Sequence, residues 1–259
     1  MIISQIDKIG NNFQKAYRVT LYFKAAISYS LYLSSLSLFE LKSDSEFEKN
    51  IKLKPEILNC LEKFNKYHSF FKSPEEVGKV IIEKTFIDKY QVFESLIYDL
   101  IFLLYQNFPN FLNNGDASTS ISIKDIYSKD NIEDLRNIVI ENRTRHIIQF
   151  NSIKSVLHQI EKIFGIKLNI SKDDLNQIYL ISRLRNLITH NKSILNETVL
   201  KELLRENISI ILTVGQDIIP YVQDNDEIFS NVLFSVGNEI IVIIKKNIKQ
   251  ITNYHNSKL

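Results

Sequence analysis

The chain is poor in the residues that build β-rich or disulfide-stapled proteins. Its 259 residues include one cysteine, no tryptophan, 6 glycines and 4 prolines. Cys60 alone excludes an internal disulfide framework and a cysteine-based zinc site, and fits a reducing compartment such as the cytoplasm. So little glycine and proline leaves too few turn signals for a sandwich or barrel and points to a mostly helical fold. Charge of one sign is missing too: 32 basic residues against 30 acidic ones leave a formal charge of +2. If the chain meets nucleic acid, a local patch rather than a global field must do it. Phosphate loops of the Walker type, the glycine-rich dinucleotide fingerprint and the Gly-x-Ser-x-Gly elbow are all lacking, and no cofactor is expected. None of the five histidines stands at metal-ligand spacing from another, so no metal site is expected either.

The first 18 residues are polar and mixed in charge, unlike a secretory signal. Val19 to Phe39 is apolar but carries Lys24 and a run of serines, which reads as a buried or amphipathic helix rather than a membrane span. No membrane partner is expected, and the expected location is cytoplasmic.

What is present is long helical periodicity. Residues 1–83 form an N-terminal helical region without a motif: one or two helices up to Leu41, a charged connection, and a helix from Pro55 to about Phe71. Ser73-Pro74-Glu75-Glu76 then has the form of a helix start, with proline in the first turn and acids beside the positive helix end. Residues 84–259 form a second, all-α region. Tyr90 to Phe108 is a long apolar helix stopped by Pro109, with Glu94 and Asp99 inside it. Asn113 to Lys129 reads as a loop, with room for a short hairpin. Ile132 to Phe164 reads as one long helix or two broken near Asn151, stopped by Gly165. Ser171 caps the next helix, which ends at Asn191 or Lys192; Asn196 to Ile219 and Asp226 to Ile251 complete the series.

The helix opened by Ser171 carries the functional signal. It contains Ile181-Ser-Arg-Leu-Arg-Asn-Leu-Ile-Thr-His-Asn191. Advancing about 100° per residue gathers Ile181, Leu184 and Ile188 on one side, flanked by Ile178, Leu180 and Leu187. Arg183, Asn186 and His190 fall opposite that apolar stripe, and Arg185 lies at its edge. A histidine is the side chain whose ordinary pKa suits either proton role near neutrality, and an arginine is an always-charged fork for phosphate.

Arg185-Asn186 followed by His190 resembles the signature of the HEPN superfamily, whose ribonuclease members carry it in an all-helical bundle. The resemblance implies a HEPN-like bundle over residues 84–259 and a metal-independent RNA endonuclease, commonly a toxin or an abortive-infection, antiviral effector. It implies Arg185 and His190 as catalytic residues with Asn186 orienting the site. Phe93-Glu94 resembles a pair in the first core helix of several HEPN families, which would place Glu94 near the site; a carboxylate at the helix surface is the other reading. Arg185 and His190 lie about 140° apart on an ideal helix. In the family, two motif helices meet at a homodimer interface and share one cleft, which removes that difficulty. Arg183, Asn191 and Lys192 are candidate RNA contacts or ordinary surface groups. The family also supplies partners: the RNA substrate, and an antitoxin or a sensor protein. The antitoxin-coupled subgroup usually has a tyrosine two residues after the histidine; Lys192 stands there instead. The alternative is a non-catalytic helical interaction or regulatory module, since many HEPN-like domains have that role.

Overall fold

A computed structural model describes residues 1–40, 74–113, 131–149 and 152–256. The expected helix from Pro55, the Asn113 to Lys129 loop beyond its first residue, the Ser73 cap and the break at Asn151 lie outside the described residues. Within them the fold is all-α. The helices are α1 (Ile2–Glu40), α2 (Pro74–Asn107), α3 (Ile132–Gln149), α4 (Ile153–Phe164), α5 (Lys172–His190), α6 (Glu197–Arg205), α7 (Ile219–Asp224) and α8 (Asp226–Asn256), with a 3-10 turn at Pro109–Asn113.

The chain falls into two compact units, one made of Met1–Tyr17 with Lys89–Leu259, the other of Arg18–Asp88. In the second, Val77 and Phe86 are buried and Lys84 pairs with Asp88 one turn on. Met1–Tyr17, grouped by sequence with the N-terminal region, belongs to the first unit because its apolar face is used there. Ile6, Phe13 and Tyr17 are buried, and the Tyr17 hydroxyl donates to the Ser230 carbonyl at 2.7 Å.

Helix α8 is the spine of the first unit. Phe229, Leu233, Val236, Ile240 and Ile244 recur at three- and four-residue steps, Ile251 follows two turns on, and all are buried, so one stripe faces inward. The helix packs on α5, α4 and α7. By length and composition alone it would suffice to cross a membrane, yet 44% of its most apolar window is buried inside the unit. Gly237 lets three helices close in: a Cβ there would lie 2.5 Å from the Phe13 ring and 3.1 Å from a Leu96 methyl. One end of the bundle is filled by rings, with Phe111 against Phe108, Phe164, Tyr254 and His255.

Most helix ends follow the local chemistry. Ser171 Oγ accepts from the Asp174 amide at 3.0 Å and opens α5. Gly165 ends α4 at φ 65°, a left-handed position where glycine carries no Cβ penalty. The expected helix from Asn196 to Ile219 is a correction: α6 stops at Arg205, and Asn207 turns the chain at φ 58°. A run of β-branched residues followed by Gly215 has low helix propensity. Backbone groups there pair instead with the segment after α5, where Leu195 N–H donates to Gln216 at 2.9 Å and Ile218 N–H to Ser193 at 2.8 Å. Pro220 accordingly sits in the first turn of α7 rather than behind a helix.

A lysine is buried in this core. Lys89 is 1% exposed, and its ammonium donates to both Asp226 carboxylate oxygens, at 2.7 and 2.8 Å, and to Ser230 Oγ at 2.7 Å. All three ammonium donors are satisfied. Lys89→Met should remove the cation and strand the Asp226 carboxylate, costing about 3 to 5 kcal/mol. Urea unfolding at neutral pH checks this, and an unchanged midpoint would contradict it.

Candidate functional site

Burial decides which side of α5 remains available. Ile178, Ile181, Leu184, Leu187 and Ile188 are buried, as the apolar stripe predicts. Ser182, Arg185 and Asn186, one turn apart on another side, line a cleft of about 510 Å³. The facing wall is α2, which contributes Tyr90, Glu94, Tyr98 and Asp99; Arg145 of α3 stands on the rim, and Ile153 and Val156 of α4 supply apolar surface. Tyr90, Glu94 and Tyr98 repeat every four residues and so form one row along the helix.

Arg185 is the centre of this arrangement. Its guanidinium carbon lies 5.8 Å from the centre of the Tyr90 ring, a cation–π distance. One terminal nitrogen donates to Asn186 Oδ1 at 3.1 Å. Its Nε is buried and has no hydrogen-bond partner among the described residues. Glu94 attracts it through space, but no ion pair closes between them among the described residues. Arg185 therefore faces the cleft with donor capacity to spare, which is what an incoming anion requires.

Burial disfavours the charged form of both acids in the cleft. Burial pushes the Glu94 carboxyl above its ordinary range, with Arg185 opposing that shift. Burial raises the Asp99 carboxyl as well. The Tyr90 phenol is pushed up to about 12 by burial, with the nearby Ser182 opposing the rise; the charge of Glu94 adds to it and Arg185 opposes it. A carboxyl raised in this way can exchange a proton nearer neutral pH than a free one.

The remaining sequence candidates separate from this group. His190 is exposed, is the last residue of α5 and does not line the cleft; it has no hydrogen-bond partner among the described residues. Asn186 spends its carbonyl on Arg185 rather than orienting His190. Arg183 points elsewhere: it donates to the Tyr179 hydroxyl at 3.0 Å, lies over that ring, and has Nε 3.1 Å from Glu202 without hydrogen-bond alignment. Asn191 caps the helix, and its side-chain amide donates to the Ile194 carbonyl at 2.6 Å. Lys192 is exposed with φ 53°, and Ser193 follows at 62°, so the chain reverses sharply just beyond His190. Tyr90, Ser182, Tyr98 and Arg145 were not assigned to the site from sequence, although the four-residue polar row on α2 was a usable signal.

Among the described residues no group of three or more His, Cys, Asp or Glu is placed to hold a metal ion. Comparison of the chain with protein-family models, with curated proteins and with solved structures gives no match.

The raised Glu94 carboxyl has a stability consequence whose sign is fixed. The folded state holds this proton more tightly than the unfolded chain, so the stability it contributes is present below the ordinary carboxyl pKa and is lost as pH rises through the raised value. Glu94→Gln should therefore raise the melting temperature at about pH 7, with the gain fading toward about pH 4. A variant that melts below wild type at the higher pH would show the ionised carboxylate to be net stabilising and would overturn this reading.

Proposed function

We propose that the chain is a metal-independent RNA endonuclease of the HEPN type. The observation that carries the proposal is Arg185, with an unpartnered buried Nε, set beside Asn186 and Glu94 in a polar cleft on the helix that ends in His190. Arg185 holds the scissile phosphate and takes up the charge that grows on its oxygens. The ribose 2′-oxygen gives up its proton to a base and attacks phosphorus; the bond to the 5′-oxygen breaks, and that oxygen leaves with a proton from an acid. The products are a 2′,3′-cyclic phosphate and a 5′-hydroxyl.

His190 takes one of the proton roles and Glu94 takes or assists the other. Because His190 lies at the helix end and outside the cleft lining, the complete site requires a second copy of the chain, packed so that a His190 reaches the phosphate on an Arg185. Lys192 and Asn191, beside His190, are the groups that would meet the RNA on that side, whereas the contacts of Arg183 with Glu202 and Tyr179 favour a supporting role for it. The protein in this reading is a cytoplasmic homodimer acting as a toxin or antiviral effector, held in check or triggered by an antitoxin or sensor.

Variants separate catalysis from folding. His190→Ala removes an exposed side chain and should change stability by no more than about 0.5 kcal/mol. It should nevertheless lower cleavage roughly 100- to 10,000-fold, as should Arg185→Ala. Asn186→Ala should fall between these and wild type. Leu184→Ala, in the core, should cost about 2 to 5 kcal/mol. Gel assays on labelled RNA and thermal melts of the same preparations read both. Wild-type cleavage by the His190 variant would remove His190 from the mechanism, and absence of cleavage by the wild-type protein would end the enzyme reading in favour of a non-catalytic interaction module.

A further inference from the structure

The cleft extends past Arg185. At its other end Tyr98 and Arg145 stand together, and neither has a part in holding the scissile phosphate. The Tyr98 ring is half-buried and stacks near-parallel on Phe102, with centroids 6.0 Å apart and planes 15° from each other. Its hydroxyl lies near Arg145, whose guanidinium donates to Glu141 at 2.5 Å. That ion pair is surface-exposed on both sides, 57% and 41%, so a phosphate can replace the carboxylate at little cost. Asp99 lines the same region, so Arg145 must supply the attraction for an arriving anion.

We propose that Tyr98 and Arg145 form a nucleotide subsite that binds the residue next to the cleavage point, the base against the Tyr98 ring and its phosphate on Arg145. The inference rests on the endonuclease reading of the cleft and adds its substrate class. A base can reach an aromatic side chain only when it is unstacked from its neighbours, so the RNA taken here is single-stranded or a loop, not a continuous duplex. The subsite is sequence-tolerant, because every base offers a face to stack.

The test uses the full chain and a fluorescent single-stranded 12-mer of 2′-O-methyl RNA, which binds without being cut. Base–aromatic stacking sets the expected loss for Tyr98→Ala at about 5- to 150-fold in Kd, while Tyr98→Phe stays within about twofold of wild type. Arg145→Gln should make the dependence of log K on log salt shallower by about 0.7, the loss of one phosphate contact on a single strand. On cleavable RNA, Tyr98→Ala should raise KM with kcat little changed, and duplex RNA should compete poorly. Melting temperatures confirm that each variant is folded. If wild-type protein binds and cuts RNA while the Tyr98→Ala and Arg145→Gln proteins match it in Kd and salt slope, the subsite is refuted and the endonuclease reading stands. If wild-type protein neither binds nor cuts RNA, both are refuted.

Discussion

A buried ammonium ion is tolerated only where every proton finds an acceptor, and Lys89 meets that condition in one alignment of α2 against α8. Two of its donors go to Asp226 and the third to Ser230. Ser230 also presents its carbonyl to Tyr17, so α1 is tied to the same point. Slipping α2 along α8 by a single residue would leave a charge in apolar surroundings, a penalty of several kcal/mol. Apolar contacts alone tolerate such slips far better. The ion pair thus fixes the register of the helix whose next residue, Tyr90, begins the row that walls the cleft.

From that register the site geometry follows. With α2 fixed, Tyr90 lies under the Arg185 guanidinium, Glu94 is one turn further, and Tyr98 one turn beyond that. The apolar face of α5 against α8 leaves Ser182, Arg185 and Asn186 as the residues that can look back at the row. The result is a cleft with two arginines, two carboxyls whose pKa burial raises, and two tyrosines.

Much of the fold was legible because helical periodicity and end chemistry are local. Ser171 at the start of α5, Gly165 at the end of α4 and the apolar stripe from Ile178 to Ile188 could be read from neighbours within a turn or two. The segment after α6 was not legible in this way. Its backbone hydrogen bonds go to residues on the far side of α6, and an apolar run gives no sign of that pairing. The same division holds at the site. Arg185 and Asn186 announce themselves by spacing, and Glu94 by its place in an apolar helix. Arg183 looked like their equal on a helical wheel, but Glu202 and Tyr179 claim it, and those partners come from tertiary packing and helix geometry rather than from the motif. Tyr98 and Arg145, more than forty residues apart in sequence, come together from two helices, a proximity that no local pattern encodes.

The central claim is that the ribose hydroxyl is the nucleophile, brought to a phosphate held by Arg185. It is tested most directly by incubating the protein, in the presence of a chelator, with a single-stranded RNA and with the same sequence carrying 2′-deoxyribose throughout, and by identifying the ends produced. The account predicts cleavage of the RNA alone, leaving 2′,3′-cyclic phosphate and 5′-hydroxyl ends. Cutting of the deoxy strand, or RNA products ending in 5′-phosphate, would contradict it.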